Sequence, residues 1–416
     1  MSGSPQIERV LEFSQARACV EKYARKIAPP AVETVPLKDV GGRVLAEDLR
    51  ADREYPPFDR AARDGYALRA ADISSVPAKL RVIGSVRAGE MWPASKQEIG
   101  RGECVEIMTG APLPPGTDAV VMVEDTSLAG DGYVDVKRTV SAGANFVPRG
   151  SEAQAGDIVL ERGSRVGYKE CAIAAMVGAA ELRVFRKPRV AILSTGDEVV
   201  EVSATPGPAQ IRNSNAWSLA QQVAECGGVP VILPIAPDEP KRLRELIELG
   251  LDCDLLLLSG GVSMGKHDLV EPVLKELNAE FHFTGAKIQP GKPVVFGEAR
   301  KNGVKKPFFG LPGNPVSTMV TFDLFVRPVV DGLCGAKVAP LKFAQAVLKS
   351  DVKVRKGLTR FLPAVLSGGP ERPLVELVEW GGSGDVFSLA GTNCYLVTSP
   401  ESENLPAHSL VTILLL

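Results

Sequence analysis

The stretch "DLLLLSGGVSMGKHD" (Asp254–Asp268) decides how the rest of the chain is read. Four consecutive leucines running into a Ser-Gly-Gly turn suit a strand buried on both faces, as in the middle of a parallel sheet. The turn itself comes within one residue of a phosphate-binding loop. Gly260, Gly265 and Lys266 stand where G-x-x-x-x-G-K-[ST] requires them, but His267 replaces the hydroxyl that would hold Mg²⁺. Asp268 offers two substitutes, as a cap on the next helix and as a carboxylate for a hard cation. A plain turn and a plain helix cap explain the same residues.

Outward from this stretch, Arg189 to about Leu333 alternates between strand ("RVAILS", "VPVILPIA", "PVVFG", "PFFGLPG") and helix ("NAWSLAQQVAECGG", "EPKRLRELIELG", "HDLVEPVLKELNA", and a long final "PVSTMVTFDLFVRPVVDGL"). The alternation implies a central three-layer αβα domain with a mostly parallel sheet and right-handed crossovers. Ligands of such sheets bind beyond the carboxyl ends of the strands. "STGDE" (Ser194–Glu198), "SGGVSMGKHD" and "LPGNP" (Leu311–Pro315) follow strands and so share one edge; "QPGK" (Gln289–Lys292) precedes one. Their glycines allow close backbone approach, and helix starts favour anions. Asp197 and Glu198 add carboxylates. Pro315 suits a first helical turn.

The flanks read differently. Residues 7–27 carry apolar side chains at helical spacing, ended by Pro29 and Pro30. From about 51 to 145 the chain is short β-branched runs broken by Gly and Pro, a β-rich domain. "YKECAIAAMVGAA" then returns to helix, so residues 1–50 and 146–187 form one discontinuous N-terminal domain with residues 51–145 inserted. Residues 188–335 form the α/β domain. From about 340 to 416 short strands return, ending in "LVTILLL", a small C-terminal β-barrel. The expected class is multidomain, α/β plus β.

Composition limits the chemistry. The 416 residues carry 48 basic and 50 acidic side chains, so no overall field favours nucleic acid or anionic lipid. No apolar run approaches the roughly 20 residues of a membrane span, and the start lacks a signal pattern. A cytoplasmic location is expected. Seven scattered cysteines without a C-x-x-C pair read as small buried hydrophobes, and three histidines do not support a His/Cys metal site.

The loops in this order, with "QPGKPVVFG" and "GLPGNPVS", preceded by "PPFDRAARDGYAL", "IMTGAPLPPGTDAVVMVED" and "VPRGSEAQAGD", resemble the MoeA-type molybdopterin molybdenumtransferases, relatives of the gephyrin E domain. The resemblance spans nearly the whole chain. It implies insertion of molybdenum from molybdate into adenylylated molybdopterin with Mg²⁺ and release of AMP. It also implies a homodimer whose site is shared between subunits, with a molybdopterin adenylyltransferase and acceptor molybdoenzymes as partners.

The resemblance assigns catalytic roles to Asp64, Thr109, Glu198 and Asp268, with Glu198 and Asp268 also holding the metal. It places Thr195, Gly196, Ser259, Gly260, Gly261, Ser263, Gly265 and Lys266 against the ligand. Pro290, Gly291, Lys292, Pro312, Gly313, Asn314 and Pro315 join them, with Ser383 from "WGGSGDVFSL". Backbone N–H groups of Gly260, Gly261, Gly291 and Gly313 are expected to offset phosphate charge. The chain departs from the family pattern at "DRAARDGYAL", where Arg60 and Arg63 would lower the pKa of Asp64 or meet a phosphate. It departs also at Gln289, which leaves Lys287 and Lys292 as oxyanion candidates, and at Ser151 and Glu152. A tungstate-inserting paralogue and a molybdopterin-binding scaffold are the alternatives.

Overall fold

The computed structural model describes residues 9–261 and 269–416. The chain divides into two compact units, one gathering the chain up to Glu47 with Gly163–Tyr168 and Glu181–Leu416, the other Asp48–Arg162 with Lys169–Ala180.

In the first unit the elements run β1 (Arg189–Ser194), α1 (Ser214–Glu225), β2 (Val229–Ile232), α2 (Pro240–Gly250), β3 (Leu255–Ser259), α3 (Val270–Glu276), β4 (Glu280–Phe283), β5 (Val295–Lys301), β6 (Val304–Leu311), α4 (Pro315–Thr321) and α5 (Arg327–Leu333). The sheet order is β2-β1-β3-β6-β5-β4. The first four strands are parallel, and β5 is antiparallel to both neighbours. The run of leucines follows from burial on both faces. Leu255 and Leu257 pack with Val190, Ile192 and Phe309, while Leu256 and Leu258 pack with Ala191, Leu193 and Phe308. Leu219 and Val223 of α1 with Val316 and Val320 of α4 close the first face. Leu243 and Leu246 of α2 with Val273 and Leu274 of α3 close the second.

Two helices differ from the sequence reading. The helix expected over residues 7–27 spans only Phe13–Ala24, because a capping box between Glu12 and Gln15 starts it and Val10–Leu11 pair with Gly285–Ala286 as a short parallel bridge. The long final helix is split by a π turn, Phe322–Val326, between α4 and α5. Arg17, 8 % exposed, reaches into that turn and donates to the Leu324 carbonyl at 2.6 Å while pairing with Glu21 at 2.7 Å. A carbonyl displaced by the π turn is thereby satisfied.

Five strands then close a barrel: β7 (Phe343–Leu348), β8 (Thr359–Gly369), β9 (Arg372–Leu377), β10 (Cys394–Thr398) and β11 (Leu410–Leu415). The ring runs β7-β11-β10-β8-β9 and returns to β7. Ile288–Gln289, just before β5, add a short parallel strand to β8 at Thr359–Arg360.

The second unit holds a six-stranded sheet in the order 119–122, 65–68, 103–107, 78–86, 133–136, 126–130. Alternation sends Ala67, Val105, Ile107 and Val120 to one face and Tyr66, Leu68, Cys104 and Val121 to the other. No helix among the described residues is long and apolar enough to cross a membrane. Cys104, Cys226, Cys253, Cys334 and Cys394 are buried, and burial pushes the Cys104 and Cys226 thiols up to about 12. Thiols held neutral in this way are packing groups, as the sequence suggests, whereas Cys19 and Cys171 are only half-buried.

Candidate active site

The topology brings four loops to one edge. Strands β1, β3 and β6 are parallel, so Thr195–Glu198, Gly260–Gly261 and Pro312–Pro315 leave their carboxyl ends side by side. The antiparallel strand β5 starts opposite Gly310, so Gln289–Lys292 arrives at the same edge. Gly291 has φ +104°, and a Cβ there would stand 2.3 Å from Thr321 Cγ2, so only glycine lets this loop lie against α4. Asn314 precedes α4 at the N-cap and Pro315 occupies its first turn.

Backbone bonding changes the expected role of Gly260 and engages Gly196. The Gly260 N–H donates to Leu311 O at 3.2 Å and the Gly196 N–H to Ala236 O at 3.2 Å. Gly260 therefore serves the loop by its conformation rather than as a phosphate donor. Asp197 is also engaged, its Oδ1 accepting the Asp238 N–H at 3.1 Å. Glu198 is exposed, with its carboxylate folded over Gly196. Ser263, Gly265, Lys266 and Asp268 lie outside the described residues, and α3 begins at Val270 with Leu269 at its N-cap.

Facing the Gln289–Lys292 and Pro312–Pro315 loops is the barrel, and between them lies a cleft of about 870 Å³. Lys292, Lys353, Arg355, Lys356 and Arg360 line it, with no acidic side chain among the described lining residues. Lys356 pairs with Glu403 at 3.1 Å. Lys292, Lys353, Arg355 and Arg360 make no ion pair among the described residues. Arg360 is only 6 % exposed, and burial together with neighbouring Arg355 lowers its guanidinium from the ordinary range. A buried cation without a carboxylate is costly and favours an anionic ligand. Val352, Leu362, Leu377 and Trp380 give the cleft an apolar floor. Lys287 turns to Glu12 at 2.6 Å and is not among the lining residues.

Ser383 belongs to this cleft. Its carbonyl accepts the Val316 N–H at 3.0 Å and its Oγ accepts Asn314 Nδ2 at 2.8 Å, which pins the barrel's 381–383 loop to the start of α4. The signal for the barrel wall was present as four cations in the eight residues from Lys353 to Arg360, a density that reads as a solvated strand face unless the partner wall is known. Asn215 also escaped the sequence reading. Its Nδ2 donates to Ser259 Oγ and to Gly313 O, both at 2.8 Å, tying two of the loops together.

In the second unit, Asp64 accepts the Thr109 N–H at 2.6 Å and the Thr109 hydroxyl at 2.8 Å. The backbone N–H first, then the hydroxyl, hold the Asp64 carboxyl below its usual range. Arg60 is not the cause, since it pairs with Glu152 at 2.8 Å.

Residues 11–178 match the MoeA N-terminal region (domain I and II), residues 191–332 a "probable molybdopterin binding domain", and residues 345–416 the MoeA C-terminal region (domain IV). A molybdopterin molybdenumtransferase of Bacillus subtilis is 34 % identical over 392 residues, covering 92 % of this chain and 90 % of the relative. The chain belongs to the MoeA family. A second transferase of that name, from Haemophilus influenzae, is 33 % identical over 92 % of this chain and 94 % of its own length. The crystal structure of a MoeA protein of molybdopterin biosynthesis from Pyrococcus horikoshii superposes with a TM-score of 0.78 at 29 % identity, covering 98 % of this chain and all of that one (100 %). For a MoeA-family chain, the cationic cleft and the strand-end loops are the features that an anionic substrate would meet.

Proposed function

We propose that this chain is the molybdopterin molybdenumtransferase, inserting molybdenum from molybdate into adenylylated molybdopterin with release of AMP. The observation that carries the reading is Arg360, a buried cation without a carboxylate partner among the described residues, in a cleft shared with Lys292, Lys353 and Arg355. Molybdate and a phosphoanhydride are both anions, and charge-assisted donors of this kind hold them. Ser383 adds a hydroxyl whose oxygen already accepts from Asn314, leaving its hydrogen to donate into the cleft.

Phosphoanhydride cleavage needs positioning and charge neutralisation rather than a covalent nucleophile, which suits a cleft with no cysteine or histidine among its described lining residues. Glu198 fits a magnesium site, because Mg²⁺ is held by one or two carboxylates plus phosphate oxygens; Asp268 would be the second. No group of three His, Cys, Asp or Glu side chains among the described residues forms a protein-only metal cage. Bound magnesium supplies charge neutralisation to the phosphates. The protein's own work is to orient the anhydride against the cleft and exclude water through the pinned 381–383 loop. We place Asp64 and Thr109 of a second copy against this cleft, in a cytoplasmic homodimer that receives substrate from the adenylylating enzyme and passes product to acceptor molybdoenzymes.

The test mixes protein, adenylylated molybdopterin, Mg²⁺ and molybdate, follows AMP, and assays reactivation of a cofactor-free molybdoenzyme. Molybdate-dependent AMP release with reactivation is expected. AMP release without reactivation, or none, overturns the reading.

A further inference from the structure

The loops around the cleft converge on helix α4. The Thr318 hydroxyl donates to Pro312 O at 2.6 Å, the Val316 N–H donates to Ser383 O at 3.0 Å, and Gly291 lies against Thr321. Asn314, at the N-cap, and Ser317 line the cleft themselves. Yet α4 is only seven residues long, too short to be fixed by its own hydrogen bonds. Its place depends on what holds its other end.

That end runs straight into the π turn Phe322–Val326, where the Arg327 N–H bonds to Phe322 O, five residues back. One extra residue in the turn rotates α4 against α5 by about 100° relative to a continuous α-helix. Such turns are rare and frequently mark functional sites. This one is held from the N-terminal helix, Phe13–Ala24. Arg17 donates from Nη1 to Leu324 O at 2.6 Å, from Nη2 to Ala339 O at 3.4 Å and from Nε to Glu21. The guanidinium fork therefore ties the π turn to the chain beyond α5.

The same helix reaches both walls. Phe13, one turn before Arg17, meets Phe325 of the π turn edge-on at 6.2 Å and Phe361 at 5.0 Å between ring centroids. Phe361 follows Arg360 in β8, and Val10–Leu11 pair with Gly285–Ala286 just before the Gln289–Lys292 loop. Residues 10–17 thus grip the back of the cleft at three places, and none of them is among its described lining residues.

We propose that Arg17 is a positioning residue for the cleft: by holding the π turn it fixes the seat of α4, and through α4 the relative placement of Pro312, Gly291 and Ser383. It touches no ligand. Reading its effect through molybdate rests on the transferase reading. The hold on α4 does not.

The experiment uses the full chain with R17M, which keeps the bulk of the side chain but loses every donor, and R17K, which keeps the charge without the fork. L246A, in the core on the opposite face of the sheet, is the control for lost stability alone. Glu21 keeps Arg25 as a partner throughout. Three quantities are read: melting temperature, molybdate affinity by calorimetric titration well below every melting point, and native-state hydrogen exchange of amides 318–327. R17M is expected to bind molybdate roughly tenfold more weakly and to exchange faster over 318–327 than the parent, with R17K recovering part of both. L246A is expected to melt no higher than R17M yet to bind molybdate within about twofold of the parent. Parent-like binding by R17M, an equal loss of binding in L246A, or weaker binding by R17M without faster exchange over 318–327 would each overturn the proposal. A parent that binds no molybdate counts against the transferase reading. Arg17 is then judged by exchange alone, and parent-like exchange in R17M overturns its role.

Discussion

The two walls of the cleft are built on different principles. The α/β wall is made of strand-end loops whose glycines and prolines are dictated by backbone geometry, as at Gly291 against Thr321. The barrel wall is made of long cations, Lys353, Arg355, Lys356 and Arg360, projected from ordinary strand and turn positions. One wall is shape and the other is charge. Substitutions should separate them, because shape is shared with the fold whereas unpaired charge opposes it.

The strongest break is Arg360→Met. On the proposed reading, removing this buried cation should weaken binding of molybdate or AMP by at least about 100-fold. Stability should stay level or rise, since no carboxylate loses its partner. Calorimetric titration and thermal melting report the two effects, and a large loss of stability would show that Arg360 is structural. The opposite wall should respond in reverse. Gly291→Ala combines a left-handed backbone with a 2.3 Å approach to Thr321 and should destabilise the protein by about 2–4 kcal/mol, read by denaturant unfolding.

A smaller effect is expected where the walls are joined. Asn314→Ala releases Ser383 Oγ but leaves the Val316–Ser383 backbone bond, so molybdate affinity should fall by roughly three- to tenfold with little change in melting temperature. The smallest concerns the second unit. Thr109→Val removes the lesser of two donors to Asp64, so the carboxyl should titrate higher than in the parent yet still below its ordinary range, as followed by NMR of the carboxyl carbon. Because folding depresses this group, its contribution to stability is fully present above the unfolded value and is lost as pH falls through the folded one. Thr109→Val narrows that acid window.

The same contrast explains what could be read from the sequence. Strands buried on both faces must be continuously apolar, so "DLLLLS" and "RVAILS" announced the α/β layers, and conformationally demanding loops announced their shared edge. The barrel's cations carried no such constraint. Nor did Val10–Leu11, whose partner Gly285–Ala286 is remote in sequence, or the π turn at Phe322–Val326, which leaves no periodic trace. Gly260 looked like a phosphate donor because the sequence cannot show that its N–H is taken by Leu311.

The pairing of Ile288–Gln289 with Thr359–Arg360 has an engineering consequence. The backbone that positions the "QPGK" loop is stitched to the backbone that positions the buried arginine, so the barrel is not a detachable module. A chain cut before residue 340 would lose every cleft cation but Lys292 among the described residues and leave Ile288–Gln289 as an unzipped edge, and a graft of another barrel would work only if it reproduced that two-residue seam in register.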